Sequence, residues 1–193
     1  YPAGSRESHN LTQSGYNDTG GKWVLDGKAM IWKSDRAGYR SHGSWGAHSD
    51  VYIMFFDLEA YERFLMSKEE LALLEENEKD KKETPATESD KKSKKDSKKD
   101  SKKDETKPLT FELENCRDRI VRLTRHSSAL GDVILSKKGD KLYYQASFEK
   151  GSDLWCQDLK ENTTKLVLKE IGRAMMIPDK KGENVYLCTQ GGI

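Results

Sequence analysis

The chain has 193 residues, and its 34 Lys and Arg balance 33 Asp and Glu, so the formal net charge is +1 although 35% of the residues are charged. Residues 79–107 alone hold 12 Lys and 8 Asp or Glu, and the other 164 residues carry a net charge of −3. This distribution argues against a uniformly basic nucleic-acid-binding body, and no apolar run approaches the ~18 residues of a membrane span, so we expect neither nucleic acid nor a membrane as a partner.

Most of the chain is predicted to form short strands separated by turns. The candidate strands are rich in β-branched and aromatic residues, and turn signals centred on Gly27, Gly139, Gly151 and Gly182 bound them. This pattern is typical of an all-β meander. The predicted strands cover residues 23–25, 29–33, 50–56, 119–123, 133–135, 141–146, 153–159, 165–168, 174–177 and 184–188.

One segment has helical periodicity instead. Apolar residues recur at three- and four-residue spacing from Leu58 to Leu65, and residues 67–70 read Ser-x-x-Glu, the form of a capping box. We therefore predict a helical insertion over residues 58–78 that is interrupted at Ser67, and we expect it on the outer rim of the fold.

A low-complexity segment follows at residues 79–107. The tetrapeptide Ser-Lys-Lys-Asp occurs three times in succession from Ser93 to Asp104. The segment has almost nothing apolar to bury, so the entropy cost of ordering it is not offset. We predict a disordered, solvated linker, because the recurring Asp halves the local positive field and disfavours an electrostatic binding site.

The strand pattern repeats along the chain. Leu123 and Leu166 are 43 residues apart, as are Gly139 and Gly182, and Gly27 precedes Gly139 by 112 residues. A period of 43 residues with four strands matches the length of a β-propeller blade, about 40 to 50 residues. The helical insertion and the linker account for most of the longer interval.

The sequence therefore predicts an all-β fold, a partial β-propeller of four-stranded antiparallel blades of the WD-repeat kind, with a short helical insertion and a disordered charged linker. A closed propeller needs about four to eight blades, so this arc is too short to close on itself and we expect apolar blade faces at both of its ends. The predicted parts are an outer strand of a preceding blade (residues 1–14), a blade that contains the helical insertion 58–78 and the linker 79–107 (20–124), a second blade (130–168) and the first strands of a third, incomplete blade (171–193).

Seven segments carry a more specific signal: NLTQS at 10–14, WVLDGK at 23–28, SDRAG at 34–38, DVYIM at 50–54, RIVRLT at 119–124, GDKLYY at 139–144 and FEKGSDLW at 148–155. The first five resemble the TolB-like propeller repeats of tricorn-type serine peptidases. The last two are similar to the later propeller of bacterial tricorn-like members. The resemblance covers nearly the whole chain apart from the charged linker.

The resemblance implies a function for the intact protein. Tricorn-like enzymes have two propellers, a PDZ-type domain and a peptidase domain with a Ser, His, Ser and Glu catalytic set, and none of those catalytic positions falls in this arc. The chain would then be a non-catalytic part of an oligomeric hydrolase, contributing to access of peptide substrates and to assembly, without a cofactor. Its partners would be the remaining blades and the PDZ and peptidase domains. The alternative is a TolB-like scaffold for protein interaction with no peptidase attached; the family analogy implies a cytoplasmic location, and a periplasmic one stays open.

Among candidate site residues, the loop 41–49 stands out because it is longer than its counterpart in the next blade. It contains His42, Trp45 and His48, but no Cys or further His lies near enough in sequence to complete a metal site. No Gly-x-Ser-x-Gly elbow supports a catalytic Ser. We predict no catalytic, metal or cofactor residue in this chain and interpret these three residues as an exposed contact loop.

Two further groups are interpreted structurally. Asp35-Arg36 follows a strand, where the carboxylate is expected to cap a turn and the guanidinium to contact a neighbouring blade. The three cysteines are widely spaced and odd in number, so we expect free thiols.

Overall fold

A computed structural model describes residues 8–40, 46–83, 111–148, 151–179, 182 and 184–189, with the backbone only for 79–83. Two units are distinguished, residues 1–65 with 110–193 and residues 66–109. The elements in chain order are β1 (Asp18–Val24), β2 (Ala29–Ser34), β3 (Asp50–Phe55), α1 (Leu58–Leu65), α2 (Lys68–Glu83), β4 (Ile120–Arg122), β5 (Ala129–Leu135), β6 (Lys141–Ser147), β7 (Asp153–Asp158), β8 (Thr163–Leu168), β9 (Ala174–Pro178) and β10 (Val185–Thr189).

The strands form two four-stranded antiparallel meanders and a smaller sheet. The first blade has the order β1-β2-β3-β4, the second blade has the order β5-β6-β7-β8, and β9 pairs with β10 in the third sheet. All ten predicted strands are therefore confirmed, and so is the predicted fold class, a partial propeller built of four-stranded antiparallel blades.

Apolar side chains from facing sheets make the main core. Alternate residues of β2 and β3, such as Ile31 and Ile53, pack against Val133, Leu142 and Tyr144 of the second blade. A smaller core joins the second blade to the third sheet and contains the buried residues Ile134, Leu154 and Met176. Since successive side chains of a strand point to opposite faces, each blade contributes one set of residues to each neighbour.

Two buried glutamines link neighbouring sheets by donating hydrogen bonds to backbone carbonyls. Gln157 Nε2 on β7 donates to the carbonyl of Leu123, at 2.8 Å, just after β4 of the first blade. Gln145 on β6 donates through Nε2 to the carbonyl of Gly172, immediately before β9. The second blade is thus hydrogen-bonded to the chain on both sides of it.

The repeat predicted from the turn glycines is visible in the backbone. Gly27, Gly139 and Gly182 have φ values of +88°, +75° and +74°, in the left-handed region that glycine tolerates best. Each of these glycines lies in the turn between the first and second strands of its sheet. The second and third turns also share a hydrogen bond from the glycine N–H to the carbonyl three residues earlier, whereas Leu25 and Asp26 of the first turn have positive φ as well.

We expected an uncovered apolar face at each end of the arc, but the face of the first blade that points away from the second blade is covered. In the described part of the predicted outer strand 1–14, residues 8–14 contain no strand, and Asn10 Oδ1 accepts the backbone N–H of Gln13 at 2.9 Å, which closes a local turn. Leu11 packs on the cluster of Trp32, Tyr52, Met54, Phe56 and Cys116. That face is therefore covered by the chain itself, and the uncovered apolar face described below lies on the third sheet.

The helices agree with prediction in kind but differ in position and length. A break at Ser67 separates α1 from α2, and Ser67 and Glu70 form the expected capping box. The ring of Phe64 in α1 packs on that of Phe55, with ring centres 5.1 Å apart, and the Phe64 carbonyl accepts a hydrogen bond from Lys160 Nζ at 2.6 Å. The helix α1 therefore covers the end of the core between the blades and does not lie on the outer rim. The helix α2 continues to Glu83 because Lys and Glu favour helix, whereas the rest of the predicted linker, 84–107, lies outside the described residues.

Gly131 leaves room for the side chain of Gln145. A Cβ at position 131 would lie 2.3 Å from Gln145 Oε1 and 2.8 Å from its Cδ. We expect Gly131→Ala to displace this amide and to lower the free energy of unfolding by about 1–3 kcal/mol, as overpacking does. Gly15→Ala is the matched control because nothing lies within 4 Å of its added Cβ. Urea unfolding measures both variants, and equal stabilities would contradict the close contact.

Candidate functional site

The predicted contact loop lies between β2 and β3, and only its stem belongs to the described residues. His42 and Trp45 lie outside them, whereas His48 is exposed and its ring meets that of Tyr39 edge-on, with centroids 6.1 Å apart. The backbone N–H of His48 donates to the Tyr39 carbonyl at 2.9 Å. The side chain of Tyr39 is 70% exposed, so the stem presents two aromatic rings to solvent.

A glycine makes this stem possible. A Cβ on Gly38 would lie 1.8 Å from the carbonyl oxygen of His48, closer than any side chain permits. The two arms of the loop therefore approach each other only because position 38 carries no side chain. The closeness of Gly38 to His48 is a contact that the sequence pattern did not predict.

Beside the stem, arginines stack on aromatic rings. The guanidinium of Arg36 lies 4.8 Å from the centre of the Tyr52 ring, and that of Arg40 lies 4.7 Å from the centre of the Tyr16 ring. These are cation–π distances. Arg36 was expected to contact a neighbouring blade, but it packs on the face of its own blade, since Tyr52 belongs to β3.

Carboxylates hold these arginines from the protein side. Asp35 accepts the backbone N–H of Asn17 at 3.0 Å and Arg40 Nη2 at 2.6 Å, and these groups hold the pKa of Asp35 below its ordinary value. Burial alone would raise the pKa of Asp18, but hydrogen bonds from neighbours that include Ser14 outweigh this effect and lower it. Both carboxylates are therefore ionised at neutral pH.

A third carboxylate, Asp50, is completely buried at the start of β3. Its Oδ1 accepts Thr124 Oγ1 at 2.7 Å and Arg122 Nη2 at 2.8 Å, and its Oδ2 accepts Ser127 Oγ at 2.7 Å. Ser49 and Ser128 exchange backbone hydrogen bonds beside it, at 2.9 and 3.2 Å. These contacts fix the connection from the first blade to the second against the base of the contact loop.

In the second blade, an Asp at the start of the third strand likewise holds the connection to the next sheet. Asp153 Oδ1 accepts the backbone N–H of Glu170 at 2.8 Å, and the Ser152 carbonyl accepts that of Ile171 at 2.8 Å, so the connection to the third sheet is held at the start of β7. Sequence reasoning missed this role. The signal was present, because the third strand of both blades begins with an Asp that follows a Ser.

A cavity of about 450 Å³ opens where the first strands of the three sheets end. Its lining is mainly apolar, with Leu135, Tyr143 and Met176 among its walls and Lys137 as a charged group. Three sheets contribute to this cavity, so its shape depends on the packing between them. Ligand sites in proteins are usually concave and mainly apolar in this way.

Asp132 on β5 joins the same three sheets. It accepts Lys22 Nζ of β1 at 2.5 Å and the backbone N–H of Met176 of β9 at 2.8 Å. Burial alone would raise the pKa of Asp132, but these two donors and the N–H of Val133 outweigh burial and lower it. An ionised carboxylate therefore bridges the blades at neutral pH.

The described residues hold little reactive chemistry. They contain no cluster of three or more His, Cys, Asp or Glu that could hold a metal ion. Cys116, Cys156 and Cys188 are free, and burial raises the pKa of the Cys156 thiol, which disfavours the reactive thiolate. Neither α1 nor the described α2 has the length and apolar character that a membrane span requires.

Comparison with known proteins identifies the fold. No protein-family profile matches the chain, and no curated protein sequence does. The crystal structure of the tricorn protease is similar, with a TM-score of 0.53 and 10% sequence identity over 94% of this chain. The chain spans 16% of the length of that protein's chain. At this identity the similarity shows a propeller-like fold.

Asp50→Asn tests the buried carboxylate network. The amide keeps the size of the side chain, but its NH2 group faces the hydrogens of donors such as Ser127 and Arg122. We expect the free energy of unfolding to fall by about 2–4 kcal/mol, the cost of leaving buried polar groups unsatisfied. Asp26→Asn makes the same chemical change at an exposed position and should be nearly neutral. Chemical denaturation measures both, and similar losses for the two variants would refute the assignment.

Asp132→Asn tests the bridge between the sheets through pH. Because the folded-state pKa is lowered, ionised Asp132 stabilises the fold above its unfolded pKa of about 3.9, and this stabilisation is lost as the pH falls below that value. We expect the variant to be less stable than the wild type at pH 7 and the difference to shrink below about pH 4. Thermal unfolding across pH 3–7 measures it, and a pH-independent difference would argue against the ionised bridge.

Proposed function

We propose that this chain is a non-catalytic β-propeller segment of a tricorn-like serine peptidase, in which it contributes to substrate access and assembly. One observation carries the proposal: the two complete blades and the third sheet match the fold of the tricorn protease over 94% of the chain while spanning 16% of that larger protein. The catalytic set of such an enzyme would lie in another domain. The chain itself supplies no catalytic residue in this proposal.

The third sheet supports the expectation of further blades. One face of it packs on the second blade through Met176, whereas Met175, Ile177 and Tyr186 on the other face are 62%, 45% and 50% exposed. The pairing of Ile177 with Tyr186 places their side chains on the same face. Exposed apolar sheet faces of this kind are interaction surfaces. We propose that the remaining strands of the third blade and its successor cover it.

We also propose that the contact loop, with His42, Trp45 and His48, touches the peptide substrate or a PDZ or peptidase domain. Tyr39 and His48 at its stem are exposed rings whose position is fixed by the close approach at Gly38. Rigid aromatic side chains lose little entropy on binding, which favours contact residues of this type. The proposed assembly is oligomeric and cytoplasmic by analogy with the family, with the periplasm as the other candidate compartment.

The second candidate function is a TolB-like scaffold for protein interaction with no peptidase attached. The blades, the exposed sheet face and the contact loop support it equally well, because a propeller can bind partners without any enzyme. The sequence encoded after Ile193 distinguishes the two functions. A PDZ-like segment followed by a peptidase domain with a Ser nucleophile supports the first, and a stop codon soon after completion of the ring supports the second.

The exposed face of the third sheet predicts self-association of the 193-residue chain. Burial of an apolar face is favourable by about 25 cal/mol per Å² and is the driving force expected here. The double variant Met175→Lys/Tyr186→Lys should shift sedimentation toward monomer, whereas Tyr39→Lys, which also replaces an exposed Tyr, should not. A wild-type chain that sediments as a monodisperse monomer, with cooperative unfolding at high temperature, would contradict the proposed need for further blades.

A further inference from the structure

One end of the first blade carries basic side chains with almost no exposed acid. At this end β2 and β4 stop and β3 and β5 start. No Asp or Glu occurs between Asp35 and Asp50 or between Asp118 and Asp132, and the two stretches contain several Arg and His. The backbone bonds between Ser49 and Ser128 bring the stretches together. We give the name arginine patch to three described basic residues of this end: Arg40, His48 and Arg122.

Two arginines of the patch are held in place by carboxylates that face away from solvent. The side chains of Arg40 and Arg122 are 46% and 38% exposed, whereas those of their partners Asp35 and Asp50 are 12% and 0% exposed. In each pair the arginine donates through Nη2. The acids are thus directed inward and the guanidinium groups outward.

Most donors of these guanidinium groups remain available. Arg40 uses Nη2 for Asp35 and stacks on Tyr16, and Arg122 uses Nη2 for Asp50 and Ser127. Within the described part of the chain, no acceptor reaches Nε or Nη1 of either arginine. Nε and Nη1 lie on opposite edges of the guanidinium, so each can donate a charge-assisted hydrogen bond to a separate carboxylate oxygen.

The buried carboxylates also prepare the patch for binding. An arginine that is already ordered by an inward ion pair and by stacking loses less side-chain entropy when it binds a second acceptor. The exposed rings of Tyr16 and Tyr39 border the patch and offer flat apolar contacts beside the cations. The ligand that fits has carboxylates next to aliphatic or aromatic groups.

We propose that the arginine patch binds acidic segments of extended peptides, with Arg40 and Arg122 donating to glutamate or aspartate carboxylates. This inference rests on the proposed function, since it names the class of peptide that the propeller segment would admit. We favour a peptide over a nucleic acid as the ligand. The arginines of the patch are single, are paired with inward-facing acids and lie among aromatic rings, whereas a phosphate backbone needs a continuous positively charged stripe.

Fluorescence anisotropy of the 193-residue chain with an end-labelled decaglutamate tests the proposal. We expect saturable binding that weakens as salt is added, with no binding of labelled decaglutamine or decalysine. The variant Arg40→Gln leaves the buried Asp50 contacts in place and should raise the dissociation constant about tenfold, a loss typical of charge-assisted hydrogen bonds. Arg117→Gln, an exposed arginine before the start of β4, is the matched control and should leave binding unchanged.

Three results would overturn the proposal. They are an absence of decaglutamate binding at low salt, equal weakening by the Arg117 control, and tighter binding of labelled decathymidylate than of decaglutamate through the same arginines. Circular dichroism of each variant confirms that the sheets are retained. If decaglutamate does not bind but a peptidase domain is encoded after Ile193, the ligand class is wrong and the proposed function stands.

Discussion

The structure depends on one constraint, which is that each blade is apolar on both faces. All six residues of β3 are buried, and alternate residues enter different cores, Ile53 facing the second blade and Tyr52 the opposite side. A sheet of this kind is stable only when both faces are covered. The second blade covers one face of the first, residues 8–17 contribute to covering the other, and the third sheet has one face that the described chain leaves open.

The need to cover both faces of each blade does not determine how consecutive sheets are connected. Hydrogen bonds to the backbone of the connecting segments determine it. Asp50 and Asp153 stand at the start of equivalent strands and hold the connections that leave their blades. Gln145 and Gln157 add side-chain bonds to the neighbouring backbone. Since these bonds are directional, and those of Asp50 and Gln157 are buried, the blades have a defined position relative to each other as well as a shared core.

The same arrangement creates the chemistry of the surface. The buried Asp50 that anchors the crossing also orients Arg122, and Asp35, which satisfies the N–H of Asn17, also orients Arg40. The proposed recognition therefore uses arginines that are positioned by the acids that stabilise the blade. Because the acids are required inside, the cations are left facing outward, and the proposed preference for acidic peptides follows from the way the blade is held together.

The sequence by itself determined the local structure. Ten strands, the turn glycines and the helix break at Ser67 follow from residue type and spacing, because alternation, positive φ and capping act over a few neighbours. The repeat of 43 residues added the blade architecture, since equal spacing of equal hairpins demands equal sheets. Of the contact loop, only its length and residue types could be predicted, and His42 and Trp45 lie outside the described residues.

Only the tertiary structure decided which groups meet. The approach of Gly38 to His48, the packing of Arg36 on its own blade and the bridge of Asp132 to Lys22 join residues whose spacing carries no local signal. The packing of residues 8–17 on the first blade also depends on the tertiary structure, because an apolar face can be covered by any apolar segment that lies within reach of it. Local patterns fix conformation, whereas contacts between distant residues depend on how whole sheets pack, and that packing is a property of the assembled core.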